Sequence, residues 1–230
     1  MKGAVFSFLL SFLGVFSNAQ TTATLHGQIA GYLNSTVYLY SVSGLRQPPQ
    51  LVDSAKLTTE FFTFKRVLKE PSGYYLSMNE VAGQLYFIWD KDIVVLLNSN
   101  ELDKSTVEGS PTTEAWRSFV ENVQAPYDQQ VKVNRELFFK AQDQKDTARV
   151  TQLYQEAYAL FMNHQKAITE YIQSYHDSWA GLYVLASCYK DMGRKSAQSL
   201  FAELSSSLQQ SELGKQISAT ITDPDYMMRP

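Results

Sequence analysis

The residues of this sequence that could carry out chemistry are few and widely spaced. The histidines are His26, His164 and His176, and Cys188 is the single cysteine. Metal sites draw on clustered ligands, such as two histidines one turn apart on a helix, and these histidines show no such spacing. One thiol can form neither an internal disulfide nor the paired cysteines of a redox or zinc motif. We therefore assign no metal ligand and no redox pair, and expect Cys188 to be buried.

Acidic and nucleophilic residues also fail to form a recognisable catalytic motif. Asp53-Ser54 lies in a predicted strand and lacks the G-x-S-x-G turn that exposes a catalytic serine. Four carboxylates lie close together in sequence but not in the order of a calcium-binding loop: Asp90, Asp92, Glu101 and Asp103. The sequence thus supplies no catalytic and no cofactor-binding residue, and we expect a protein that is not an enzyme and binds no cofactor.

The amino terminus has the pattern of a cleaved signal peptide. Lys2 is followed by an uncharged run over residues 4–16, and Ser17-Asn18-Ala19 places small residues before a cut between Ala19 and Gln20. A membrane anchor needs about 20 apolar residues, and polar side chains from Asn18 onward end this run too early. Residues 1–19 are therefore predicted to be removed, leaving a periplasmic or secreted protein without stable membrane insertion.

The charge of the chain argues against one class of partner. The formal net charge is −3 at pH 7, and lysine and arginine do not cluster in the sequence. Nucleic acids attract proteins through basic patches, which this sequence lacks. We expect no nucleic-acid partner.

Residues 20–110 alternate between apolar and polar positions and are interrupted by Gly, Asn, Pro and Asp. This period of two, with many β-branched and aromatic residues, predicts short strands in succession. Without intervening helices, such strands form an antiparallel β-sandwich or a barrel-like domain. The predicted strands are Thr24–Ala30, Thr36–Tyr40, Leu51–Leu57, Phe61–Val67, Tyr74–Met78, Gln84–Trp89 and Ile93–Asn98, with a loop at Ser43–Gln50.

Residues 111–223 change to helical periodicity. Ser110-Pro111 combines a favoured N-cap with a residue suited to the first helical position, and Pro126 is expected to interrupt the helix that begins there. Further helices are predicted through Val133–Ala141, Val150–Ile172, Trp179–Met192, Leu200–Leu208 (capped by Ser196) and Leu213–Ile217 (capped by Ser211), before a tail at 224–230. The fold class is therefore α+β, a β domain followed by an α-helical region.

Short segments throughout residues 24–218 carry a resemblance to a known family. They are Leu25–Ile29, Val37–Leu39, Val52–Ala55, Phe62–Phe64, Phe87-Ile88, Ile93–Val95, Val107–Ser110, Tyr171–Ser178, Leu200–Leu204 and Leu213-Gly214. With these segments the chain resembles the N-terminal domain of unknown function of exported bacterial thioredoxin-like (AhpC/TSA, TlpA-like) thiol-disulfide oxidoreductases. The resemblance implies an exported protein of the same fold.

Three departures limit what the resemblance implies. Glu60 stands where the family often has Gly, and Tyr175-His176 stands where it often has Asn-Pro. The Trp-Cys-x-x-Cys motif of the family's catalytic domain is absent, and the chain ends at Pro230, where the linker to that domain would begin. We expect the compartment and the fold of the family without its enzyme activity.

These observations favour a non-catalytic periplasmic accessory or protein-interaction module. Three predicted strand segments are apolar on both faces: residues 37–40, 85–89 and 93–97. Their outer face therefore needs another element to shield it from water. Either the helices supply it, or a patch remains for a protein partner or a homo-oligomer. The alternative is a secreted glycan-binding or surface-assembly protein, because the 14 tyrosines and three tryptophans would suit stacking on sugars.

The first prediction concerns processing. Protein purified from its native host should begin at Gln20, because Ser17 and Ala19 fit the recognition pattern of signal peptidase. Intact mass spectrometry should show the loss of residues 1–19. A full-length species in the inner membrane would contradict the prediction.

Overall fold

The computed structural model of the chain describes residues 21–42, 45 and 48–223. The predicted signal peptide, its cleavage site at Ala19 and Gln20, and the predicted tail at 224–230 lie outside the described residues. So does part of the predicted loop at Ser43–Gln50.

In the part of the chain that the structure describes, eight strands form two four-stranded sheets that share one apolar core. Side chains such as Leu25 and Phe64 from one sheet, and Leu39 and Phe87 from the other, belong to the same buried cluster, which is the arrangement of a β-sandwich. The sheet orders are β4-β1-β7-β8 and β3-β2-β5-β6. The strands are β1 Thr21–Gln28, β2 Thr36–Val42, β3 Gln50–Lys56, β4 Phe61–Leu68, β5 Ser72–Ser77, β6 Leu85–Trp89, β7 Ile93–Leu96 and β8 Thr106–Glu108.

One strand pair departs from the predicted antiparallel arrangement. β1 pairs with β4 antiparallel but with β7 parallel, so that Leu25 lies beside Ile93. The other pairs between the described strands are antiparallel. Alternation of apolar and polar residues has the same period in both orientations, and for this reason the sequence could not distinguish them. The sequence also missed β8, which has only three residues.

The helical region follows the sandwich directly and confirms the α+β class. Its elements are α1 Pro111–Phe119, a π-helical turn Val120–Gln124, α2 Ala125–Asp143, α3 Thr147–Ser174, α4 Trp179–Cys188, α5 Arg194–Glu203, α6 Ser206–Gln210 and α7 Glu212–Thr222. A short 3-10 helix, Leu102–Lys104, precedes β8. A second buried cluster, separate from that of the sandwich, fills the space between α1 and α3–α7.

Two of the predicted helix caps are confirmed and one is wrong. Ser110 and Ser211 accept hydrogen bonds from Thr113 N and Gly214 N, which confirms both caps. Pro126 was expected to interrupt the helix that begins at Pro111, and the α-helical pattern changes just before it: the π-helical turn follows α1 and leads into Pro126, which lies in the first turn of α2. The Ser196 cap was wrong: α5 begins earlier, after Gly193, whose φ of 73° suits glycine.

The first turn of α1 is attached to β6, an edge strand of its sheet. Ile88 N–H donates to Thr113 Oγ1 over 3.0 Å, and the Thr113 hydroxyl donates to Ile88 O over 2.9 Å. The Ser110 hydroxyl also donates to Ile88 O, over 3.1 Å. Ser110 and Thr113 are fully buried. The two hydroxyls therefore make the hydrogen bonds to Ile88 that a neighbouring strand would otherwise make. These bonds hold the start of the helical region against this sheet.

Of the strands that the sequence indicated as apolar on both faces, β6 is covered by the helices and β7 is not. Ile88 of β6 is fully buried beside α1, and Tyr86 on the same face contacts Trp116 of α1. On β7, in the other sheet, Val94 and Leu96 remain 43% and 42% exposed. The expectation of a helical cover therefore holds for β6 and not for β7, because α1 is tied to the sheet that contains β6.

The second prediction tests the attachment of α1. Thr113→Val keeps the shape of the side chain but leaves Ile88 N–H buried without an acceptor, so the free energy of unfolding should fall by about 1–3 kcal/mol. Urea denaturation followed by circular dichroism measures the change. The control is Thr112→Val at the neighbouring half-buried position, which we expect to change stability by less than about 0.5 kcal/mol. Equal effects of the two variants would contradict the prediction.

Candidate functional site

The residues that the sequence singled out for chemistry lie in different parts of the molecule. His26 is on β1, His164 is in α3 and His176 follows the end of α3. Asp53 and Ser54 are exposed on the edge strand β3, where the Asp53 carboxylate accepts a hydrogen bond from Ser54 N. Across the described residues, histidine, cysteine and acidic side chains form no group of three or more that could hold a metal ion.

His164 packs against the start of α2 and the π-helical turn. Its ring stacks on Tyr127 with centroids 3.7 Å apart, and its Nε2 lies 3.2 Å from Gln124 Oε1. Burial lowers the pKa of His164, and this effect outweighs the negative charges of Asp128 and Asp191, which raise it. The neutral imidazole therefore joins α3 to the π-helical turn and to the start of α2.

Cys188 lies in the helical core near the end of α4. The side chain is buried, and its Sγ is 3.4 Å from the hydroxyl of Ser187. Burial raises the pKa of the thiol above its ordinary value, which disfavours the reactive thiolate.

A cleft lies between the sandwich and the helices. It has a volume of about 1020 Å³, at the upper end of the range for small-molecule sites, roughly 300–1,000 Å³. Its aromatic wall is formed by Tyr86 of β6, Trp116 of α1 and Tyr183 of α4. The rings of Tyr86 and Trp116 are 5.6 Å apart, and the Tyr183 hydroxyl donates to Pro71 O over 3.3 Å. Burial raises the pKa of both tyrosines, so their hydroxyls stay protonated.

Charged side chains surround the same cleft. Arg66, Lys69 and Lys215 line it together with Glu70 and Glu212. Both carboxylate oxygens of Glu70 lie 3.2 Å from Glu212 N, the first amide of α7. The negative charge of Glu70 is therefore engaged at the start of that helix, where the helix dipole favours it.

A second candidate surface is the arm, which we define as the hairpin of α2 and α3, residues 125–174. α2 packs mainly against α3 and the π-helical turn, and α3 is about 42 Å long. Along α2 and the part of α3 before Ile168, only Ala141 and Leu153 are buried. The arm thus has almost no core of its own.

The arm carries eight of the fourteen large hydrophobic side chains found exposed in the described structure. They are Val131, Val133, Leu137, Phe139, Tyr154, Tyr158, Phe161 and Met162. A groove of about 440 Å³ between the two helices includes the apolar side chains of Val133, Leu137, Ala159 and Leu160. Such a concentration of exposed apolar side chains is typical of a surface that binds another molecule.

Sequence reasoning missed both surfaces, although each left a signal. In β4 the inward-facing positions Phe62, Phe64 and Leu68 are apolar, and Arg66 interrupts their alternation. In α3 Tyr154, Tyr158 and Phe161 are spaced four and three residues apart, as residues on one helix face are. Arg66, Tyr183 and Lys215 line the same cleft but are far apart in the chain, so no local sequence pattern could predict that they share it.

The comparisons with known proteins identify part of this chain. Residues 23–116 match the family described as Domain of unknown function (DUF4369). The DUF4369 domain comprises most of the β-sandwich and the first part of α1, and thus includes Ser110 and Thr113. No curated protein and no solved structure matches the chain. Among the helices that the structure describes, none has both the length and the hydropathy to cross a bilayer.

The third prediction concerns Cys188. Because the thiol is buried and its pKa is raised, it should react slowly with Ellman's reagent in the native protein and promptly in denaturant. The mature protein should reduce insulin only at the background rate, unchanged by Cys188→Ala, since one cysteine cannot resolve a mixed disulfide. A turnover that depends on Cys188 would contradict this.

Proposed function

We propose that the protein is an exported, non-catalytic accessory module that binds a partner protein through the arm. The observation that carries the proposal is the exposure of eight large hydrophobic side chains on two helices that bury only Ala141 and Leu153 before Ile168. The signal-peptide pattern of residues 1–19 supports a periplasmic or secreted location. The resemblance to the N-terminal region of thioredoxin-like oxidoreductases supports a role beside such enzymes.

The side chains of the arm favour a protein as the bound partner. Tyr154 and Tyr158 are 71% and 63% exposed, one turn apart on α3. Tyrosine combines a large apolar area with a polar tip, and it is among the residues that contribute most to protein interfaces. The groove beside Val133 and Leu137 would accept apolar side chains from a third helix packed between α2 and α3.

The charges of the arm define the chemistry of that partner. Residues 125–174 contain six acidic and six basic side chains, whereas the whole chain has a net charge of −3. The arm therefore repels neither acidic nor basic proteins. It fits an amphipathic helical surface that carries charges of both signs around an apolar centre.

The base of the arm is positioned before any partner binds. The stack of Tyr127 on His164 and the contact of His164 with Gln124 join both helices to the π-helical turn. Beyond them, Ile168 and Ile172 of α3 lie in the helical core. A rigid base reduces the conformational entropy that binding would otherwise cost.

A second candidate function is glycan binding in the cleft. Its support is the wall formed by Tyr86, Trp116 and Tyr183, since aromatic side chains offer apolar faces beside polar tips. This function would use a different surface from the arm, and the two are tested separately.

The fourth prediction tests the arm in the native host. A photo-crosslinking residue at Tyr158 should capture a partner protein, whereas the same residue at Phe61, which is 65% exposed on the sandwich, should not. With the captured partner purified, Tyr154→Ser combined with Tyr158→Ser should weaken binding by about tenfold or more, because each tyrosine would lose its buried contact. Isothermal titration calorimetry measures the dissociation constant.

The matched control is Phe61→Ser, which removes an equally exposed aromatic ring from the sandwich and should leave the affinity unchanged. All three substitutions lie at exposed positions, so thermal unfolding should confirm that both variants remain folded. Capture at Phe61 instead of Tyr158 would contradict the proposal. Crosslinks formed only between two copies of the chain would contradict the accessory role and show instead that the arm forms a homodimer contact.

A further inference from the structure

Arg66 occupies a position where the sandwich would ordinarily place an apolar side chain. It lies on the inward-facing side of β4, between the buried Phe64 and Leu68, and is itself half-buried. Among the described residues, the ion pairs do not include Arg66. A guanidinium removed from water without a partner lowers stability, and such charges in proteins are usually paired. Arg66 instead faces the cleft at the end of the sandwich.

Two more cations line the same cleft without an ion pair in the described structure. Lys69 follows the end of β4, and Lys215 lies in the first turns of α7. Of the two acidic side chains that line the cleft, Glu70 is engaged with the amide of Glu212. Arg66, Lys69 and Lys215 outnumber the two carboxylates by one, so the lining of the cleft has a net charge of +1, whereas the chain as a whole is negative. This charge favours an anionic ligand.

The cleft is not built like a phosphate site. Phosphates commonly bind to the free amides at a helix N-terminus. In α7 two of the first three amides are already occupied, since Glu212 N donates to Glu70 and Gly214 N donates to the hydroxyl of Ser211. The other polar groups of the lining are the three side-chain cations, the Glu212 carboxylate, and the hydroxyls and amides of Ser41, Ser72, Gln210 and Gln216, beside the aromatic rings.

We infer that the cleft binds an acidic oligosaccharide, a glycan whose sugar rings carry carboxylates. The carboxylates would pair with Arg66, Lys69 and Lys215, and guanidinium groups match carboxylates through two parallel hydrogen bonds. The apolar faces of the sugar rings would lie on the aromatic wall of Tyr86, Trp116 and Tyr183, while serine and glutamine side chains bind the sugar hydroxyls. The inference rests on the second function proposed above and is independent of the arm.

The test uses the predicted mature chain, residues 20–230, and two probes of equal chain length. One is a galacturonic acid tetramer, and the other is its fully methyl-esterified form, which has no charge. Isothermal titration calorimetry should show that the acid binds about tenfold or more tightly than the ester. The affinity for the acid should fall as salt is raised, and the affinity for the ester should not.

Variants in β4 separate the role of Arg66 from a general effect of charge. Arg66→Gln should weaken binding of the acid by about tenfold and leave binding of the ester unchanged, and Arg66→Lys should restore part of the loss. The matched control is Lys65→Gln at the adjacent, exposed and outward-facing position, which should change neither affinity. Should Arg66→Gln unfold, Lys215→Gln at an exposed position of the cleft provides the same comparison.

The possible failures are distinguishable. Equal binding of acid and ester would overturn the assignment of an acidic ligand and leave glycan binding in place. Binding of neither probe would overturn both this inference and the second proposed function. A glutamate tetrapeptide that binds as tightly as the acidic sugar would overturn the choice of a glycan.

Discussion

The attachment of α1 to the edge strand β6 is the interaction on which the rest of the structure depends. An edge strand exposes unpaired amides and carbonyls that invite pairing with another chain. Here the hydroxyls of Ser110 and Thr113 satisfy Ile88 on both its N–H and its C=O. The same contact ends the sheet and sets the direction of α1. It thereby places Trp116 against Tyr86 and carries Phe119 into the helical core.

Two cores of different composition follow from that attachment. The sandwich buries side chains from both sheets, and the helices bury a separate set around Leu182 and Ile217. The cleft lies where the two bodies meet but do not fill the space between them. The arm extends from the helical body, and the few residues that it buries suggest that its helices open at a lower free energy than either core. A partner that covers the arm would stabilise it by burying the exposed apolar area.

The two candidate surfaces differ in charge as well as in shape. The arm has no net charge and exposes aromatic and aliphatic side chains, which suits a protein partner. The cleft combines unpaired cations with aromatic rings and neutral hydrogen-bonding side chains, which suits a charged ligand with many hydroxyls. Because they lie on different elements, one surface can be altered without changing the other.

Sequence alone determined the local order of this protein, and tertiary structure decided how its distant parts meet. Period-two alternation predicted most of the strands, and Ser110 and Ser211 predicted two helix starts, because both signals act between residues close in the chain. The parallel pairing of β1 with β7 was not predictable, since alternation is the same in either orientation. The apolar stripe of α3 was readable, but whether another element covers it depends on packing. The cleft joins Arg66, Tyr183 and Lys215 across more than a hundred residues of sequence, and only the docking of the helices onto β6 brings them to one surface.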